Sequence, residues 1–170
     1  MGGGRALAAG TPDVLMELIL WRHAEAAPGE PDAARPLTDH GRAQAELMAR
    51  WLKPRLPKRL RAIVSPARRA QETARALGVS FETIEAVAPG MDFAALLGAA
   101  GWPDSEQPVL VVGHQPTLGE TAARLLEGRE AEAHMGTGAV WWLRARSGKG
   151  SARAVLLLAL EPEILAREGK

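Results

Sequence analysis

A chain of 170 residues, 46% of them hydrophobic, with a net charge of +1, fits one domain with one sizeable core and has no global pull toward nucleic acid or an anionic membrane. It contains no cysteine, which excludes a disulfide framework, a Cys-ligated zinc site and a cysteine-nucleophile phosphatase, and agrees with an expected cytoplasmic location. No apolar run approaches the roughly 18 residues of a membrane span; the longest, residues 154–160, is strand-sized.

In chain order, residues 1–15 read as a flexible extension. Their start is glycine-rich, and residues 6–9 are too short for the apolar region of a signal peptide. Met16 is an alternative start, so the folded domain is expected over 16–170. Residues 18–21 (LILW) form a short apolar run, read as a buried strand. A polar loop with Pro28, Gly29, Pro31 and Pro36 follows, and Thr38 is placed to cap a helix. Ala43, Leu47, Met48, Trp51 and Leu52 then recur at helical spacing until Pro54. Residues 62–64 make a second strand ending at Ser65-Pro66, and 67–77 a helix closed by Gly78. Residues 83–87 read as a weak strand before a Pro89-Gly90 turn, and 92–100 as a helix stopped by Gly101. Residues 109–112 (VLVV) are a third strand, ending at Gly113-His114, and 117–127 a helix closed by Gly128. The late runs 139–143 and 154–160, separated by Ser147, Gly148, Lys149 and Gly150, suggest a hairpin or closely spaced strand pair.

Strands alternating with helices predict one three-layer α/β/α domain with a mostly parallel central sheet. Ligands of such sheets bind beyond the carboxyl ends of the strands. The first strand ends in Arg22-His23, the second in Ser65 and the third in Gly113-His114. One rim therefore collects two histidines, an arginine and a hydroxyl. A phosphoryl group, with nearly two negative charges, needs such fixed positive charge and directed donors. Arginine offers a planar fork for two oxygens, and a neutral imidazole can attack phosphorus.

These residues carry a resemblance. Residues 18–26 (LILWRHAEA) resemble the Arg-His-Gly signature of the histidine phosphatase superfamily, also called phosphoglycerate mutase-like. Residues 64–73 (VSPARRAQET) resemble its second motif, a serine followed four residues later by Arg-Ala and then a threonine. Residues 111–114 (VVGH) resemble the strand that ends in its second histidine, and 35–41 (RPLTDHG) its Leu-Thr-x-x-Gly segment. The ordered set covers residues 17–119. The short length and the Arg-Pro-Leu-Thr segment resemble SixA-type phosphohistidine phosphatases.

The resemblance implies a phosphatase that forms a covalent phosphohistidine and needs no metal or organic cofactor. His23 would accept the phosphoryl group, Arg22 and Arg69 would clamp it, and His114 would donate to one of its oxygens. Arg69 fits the spacing from Ser65 and precedes the matching alanine, and neighbours on a helix point about 100° apart. Arg68 is therefore expected at the edge of the site or in solvent. The unprotonated nitrogen of His23 would attack, its other nitrogen donating to a backbone carbonyl.

Two departures stand out. Ala24 replaces the family's usual glycine, and the carboxylic acid that protonates an ester leaving group in larger relatives has no clear counterpart. Glu25, Glu85 and Asp92 are candidates, Asp92 best matching the acidic position of SixA-like chains. Glu25, Asp92 and Ser65 each have a structural reading of equal weight, Ser65 as a strand exit or helix cap. A site without a strong acid suits P–N bonds, because protonated phosphohistidine releases neutral imidazole. The expected substrate is thus phosphohistidine on a signalling protein, such as a histidine-phosphotransfer domain. Two alternatives are a phosphatase of small phosphoesters or phosphorylated metabolites, and a catalytically silent phospho-binding module. His40 is expected to be exposed, and His134 has no assigned role. His23 and His114 lack the carboxylates and spacing of a metal site.

Overall fold

The order of six strands in one sheet decides what meets at its rim. In the computed structural model, which describes residues 15–146 and 153–168, the sheet runs β3-β2-β4-β1-β5-β6. The strands are β1 (Glu17–Arg22), β2 (Arg61–Val64), β3 (Glu82–Thr83), β4 (Val109–Gly113), β5 (Val140–Ala145) and β6 (Ala154–Leu160). The helices are α1 (Asp39–Leu52), α2 (Arg68–Leu77), α3 (Phe93–Ala100), α4 (Thr117–Glu127) and α5 (Pro162–Glu168). β1, β4, β2 and β3 are parallel, and β5 and β6 antiparallel. The sequence-based expectation of a three-layer, mostly parallel domain therefore holds. The expected hairpin appears as the β5–β6 pair, while its turn at 147–150, like residues 1–14 of the expected 1–15 extension, lies outside the described residues.

Alternation along each strand splits the core into two layers. Leu18, Leu20, Ile63, Val109 and Val111 pack with Leu96 and Ala100 of α3 and Leu118, Ala122 and Leu125 of α4. Ile19, Trp21, Val64, Leu110 and Val112 pack on the other face with Met48 and Leu52 of α1 and Ala70, Ala74 and Leu77 of α2. Because both faces are covered, β1 and β4 are apolar at successive positions, and the first polar residues mark where each chain leaves the sheet. Trp141 and Trp142 pack against opposite layers, as sheet-face residues.

Two elements differ from expectation. The weak strand over 83–87 keeps only Glu82–Thr83 as strand. After Ile84 N bonds to Val64 O (2.9 Å), the chain tightens into a 3-10 turn, Glu85–Val87, which sinks Val87 into the core. Helix α5, unforeseen, begins with Pro162 in the first helical position and rests against α1.

The segment after β1 is pinned to the start of α1. Thr38 caps the helix by accepting from Gly41 N (2.9 Å), and Thr38 N donates to Glu25 O (3.0 Å). Gly41 lies so close that a Cβ there would overlap the Glu25 carbonyl. The conformational gain of alanine in a helix is about 0.5–1 kcal/mol, but a backbone carbonyl yields less readily than a side chain. Gly41→Ala is therefore expected to destabilise the fold by about 1–3 kcal/mol net, read as a lower urea midpoint. An unchanged midpoint would show that this segment can move aside.

Candidate active site

Strand register builds the site. Arg22 pairs with Gly113, and Val64 with Val112. One residue further, His23 N donates to Gly113 O (3.1 Å) and Ser65 N to Val112 O (3.0 Å). The three strand exits thus carry His23, His114 and Ser65 to one place. The rings of His23 and His114 lie 5.1 Å apart, centroid to centroid.

Arg69 enters from α2. It is only 5% exposed, and its guanidinium makes three contacts. Nε donates to His23 Nε2 (3.3 Å), Nη1 to Asp32 O (2.9 Å) and Nη2 to Asp32 Oδ2 (3.1 Å). Arg68, its neighbour, instead reaches along the helix surface to Glu72 (2.6 Å) with more than half its side chain exposed. The separation of these two arginines follows from helical geometry and agrees with the expectation.

The other nitrogen of His23, Nδ1, is 2.8 Å from Ala24 O, where it can only donate. This leaves an unprotonated Nε2, and the donor Arg69 Nε confirms it by pointing at that lone pair. Ala24 needs no glycine-like backbone, because no non-glycine residue among those described has positive φ. Its N–H donates to Thr73 Oγ1 (3.0 Å), and that hydroxyl donates to Arg69 O (2.7 Å). Thr73 therefore ties the start of α2 to the segment carrying His23.

Arg22 Nη1 donates to Met135 O (2.6 Å), from the stretch before β5. Arg22 Nε and His114 Nδ1 are buried without a hydrogen-bond partner among the described residues. An orphaned buried donor costs roughly 1–3 kcal/mol, which an anionic oxygen placed against it would recover. Burial pushes the His23 imidazole down to about 4, and Arg69, Arg22 and Arg35 add to the effect against the Ala24 hydrogen bond. His114 is pushed to about 3 by burial first, then by His23, Arg69 and Arg22, with Asp32 opposing. Both rings are neutral at pH 7. His23 then presents a lone pair on Nε2 beside Arg69 Nε, an arrangement suited to in-line attack on a phosphoryl group.

The candidate acids are placed differently. Glu25 accepts from Thr38 Oγ1 (2.7 Å) and contacts His40 (3.2 Å), and the Thr38 bond, with His40, holds its carboxyl below the usual range. Asp92 caps α3 by accepting from Ala95 N (2.8 Å). Its exposed carboxylate borders a groove with Phe93, Glu120 and Arg124. Ser65 sits fully buried with Oγ 2.7 Å from His114 Nε2. His40 is exposed, as expected.

Asp32 was not among the residues singled out in the sequence. Its carboxylate bridges Arg35 (2.9 Å) and Arg69 (3.1 Å), and the Arg35 bond first, then Arg69, holds it ionised. The only signal was an acid three residues before Arg35 in a proline-flanked loop. Among the described residues, no group of three or more His, Asp or Glu side chains could hold a metal ion, and no helix is long and apolar enough to cross a membrane.

Comparison with known proteins agrees with this geometry. Residues 18–89 match the model of the histidine phosphatase superfamily, branch 1. Phosphohistidine phosphatase SixA of Escherichia coli (strain K12) is 33% identical over 124 residues, 66% of this chain and 76% of that one. A SixA homolog of Haemophilus influenzae is 33% identical over 130 residues, 65% of this chain and 77% of that one. The solved structure of the protein histidine phosphatase SixA complexed with tungstate superposes with a TM-score of 0.72 at 28% identity, covering 88% of this chain and 99% of that one. A likeness this extensive in sequence and fold, with both histidines and Arg69 drawn into one buried cluster, leads to one assignment: the chain belongs to the histidine phosphatase superfamily.

Proposed function

We propose that this phosphatase hydrolyses phosphohistidine on a cytoplasmic signalling protein, through a phosphoryl group carried on His23. The observation that carries the reading is the contact set of His23: Nδ1 bound to Ala24 O, Nε2 unprotonated and Arg69 Nε beside it. In the first step Nε2 attacks phosphorus, and the P–N bond to the substrate's imidazole breaks. That imidazole leaves neutral if it was protonated on its free nitrogen beforehand. In the second step water attacks phosphorus, its proton is lost to solvent or phosphate, and the P–Nε2 bond returns its electrons to His23. Arg22, Arg69 and His114 hold the equatorial oxygens throughout.

The carboxylates favour the P–N substrate over an alkyl ester. Asp32 and Glu25 are both held below the usual range, and Asp92 is engaged as a helix cap. None of these three carboxylates is thereby set up to protonate an alkoxide, whereas an imidazolium-like leaving group brings its own proton. The relatives named for phosphohistidine, and the tungstate bound by one of them, support the same reading. The folded domain in this proposal begins at Met16, which is buried and accepts from Ala145 N (2.8 Å), leaving residues 1–15 dispensable.

The test offers the purified chain a radiolabelled phosphohistidine-bearing phosphotransfer domain and, separately, an activated aryl phosphate and an alkyl phosphate. Release of phosphate from the phosphodomain, with label trapped briefly on the enzyme and little turnover of the alkyl ester, is expected. Efficient alkyl ester cleavage without activity on the phosphodomain would move the substrate to small phosphoesters. Phosphate binding with no turnover of any substrate would leave a binding module.

A further inference from the structure

Ser65 forms no hydrogen bond to the side chains of Arg22, Arg69 or His23, yet its hydroxyl is the one partner His114 has through its ring nitrogens among the described residues. A serine hydroxyl has one proton to give and two lone pairs. One lone pair accepts from Ala67 N (3.1 Å), in a turn that starts the approach to α2. His114 Nε2 lies 2.7 Å from the same oxygen. Ser65 is fully buried, out of contact with bulk solvent, and its hydroxyl has no other partner among the described residues.

Two arrangements are open to the pair. If Nε2–H donates to Oγ, the serine proton has no acceptor and His114 Nδ1 is a bare lone pair with no donor. Two buried groups are then unmet. If Oγ–H donates to Nε2, the serine is fully satisfied and the ring's single proton sits on Nδ1. One buried group is then unmet, and it is an N–H, the kind of group an anion satisfies. The neutral state of His114 makes this a choice between two tautomers rather than a question of charge. The balance of unmet groups selects the second arrangement.

We infer that Ser65 is a positioning residue that fixes His114 in its Nδ1–H tautomer, so that this ring offers a donor, and not a lone pair, to a phosphoryl oxygen. The catalytic consequence rests on the phosphatase reading above; the tautomer itself is a property of the free protein. The opposite tautomer would aim a lone pair at a negatively charged oxygen. Both histidines are then held with the proton on Nδ1 by different means, His23 by a backbone carbonyl and His114 by a hydroxyl. For His23 this bares the attacking nitrogen, and for His114 it arms the donor.

The chain holds four histidines, so long-range nitrogen–proton correlation spectra of the 15N-labelled full chain near neutral pH can resolve each ring. His114 is assigned by its disappearance in His114→Asn. The expected wild-type result is a protonated Nδ1 and an unprotonated, hydrogen-bonded Nε2 at His114. Ser65→Ala should move the ring toward the Nε2–H form and lower kcat by about 10–100-fold, by analogy with the loss of the partner that orients a metal-ligating histidine. Ser65→Thr, which keeps the hydroxyl, should restore the Nδ1–H pattern. A wild-type ring carrying its proton on Nε2 would overturn the inference without any variant, as would an unchanged tautomer in folded Ser65→Ala. If the tautomer behaves as expected while the wild type turns over no phosphorylated substrate, the phosphatase reading fails and the tautomer assignment stands.

Discussion

His23→Ala should lower kcat by at least about ten-thousand-fold, the scale on which removal of an activated nucleophile acts in covalent catalysis. In the proposed mechanism the side chain carries the bond-forming lone pair, and its two neighbours cannot replace it: His114 Nε2 is occupied by Ser65 and Arg69 is cationic. The loss is not a folding defect if a second signature appears. In the unfolded chain His23 titrates near 6.5, and in the fold near 4. As pH falls below 6.5 the unfolded state takes up a proton that the folded state refuses, so stability is lost between about 6.5 and 4. Alanine removes that penalty. Between pH 7.5 and pH 5 the variant should lose about 2 kcal/mol less stability than the wild type, measured by urea unfolding at both values. In the wild type, kcat/KM reports the free enzyme, so activity should survive acidification through pH 6 and 5, where an ordinary histidine would already be protonated. A kcat within tenfold of wild type in His23→Ala, or a wild-type activity lost with a midpoint near 6.5, would remove His23 from the role of nucleophile.

The site was legible where chemistry and chain direction coincide. A strand buried on both faces must be apolar throughout, so Arg22-His23 after LILW and Gly113-His114 after VLVV announce themselves as strand exits, and exits of parallel strands share a rim. The helical angle between neighbours separates Arg69 from Arg68 on the same grounds. What could not be read are contacts between segments far apart in sequence that meet only after folding. Asp32 reaches Arg69 across 37 positions, and Ser65 reaches His114 across 49. No local pattern encodes either. Asp92 shows the reverse case, because an acid before an apolar run that ends in glycine reads equally well as a helix cap, and its carboxylate does cap α3. The fold was legible in its layers and strand count, and less so in its short pieces. Helix α5 has seven residues, too few for a helical period to stand out, and its place is set by docking on α1. Residues 83–87 have strand-forming side chains, but burial of Val87 in the core takes precedence over extending β3.

Adjacent arginines give the sharpest test of the proposed phosphate clamp. Arg69→Ala should lower kcat/KM by about a thousand-fold, as removal of a buried cationic donor from a phosphoryl-transfer site does. Arg69→Lys should recover no more than about tenfold of that loss, because a lysine is one point donor and cannot reproduce a planar fork. The geometry makes the distinction concrete. Three guanidinium nitrogens of Arg69 have separate partners, Nε on His23 Nε2 and the two terminal nitrogens on the carbonyl and carboxylate of Asp32. An ammonium on a flexible stem can keep one of these at most while still meeting a phosphate. Arg68→Ala, one position away, should stay within about threefold of wild type, since it removes an exposed pair with Glu72 of the kind that contributes little. Charge alone cannot account for that contrast, because both substitutions remove one positive charge from the same turn of α2. If Arg68→Ala proved the more damaging, the phosphate would have to sit over the outer face of α2, and the contact between Arg69 and His23 would belong to the architecture of the site rather than to its chemistry.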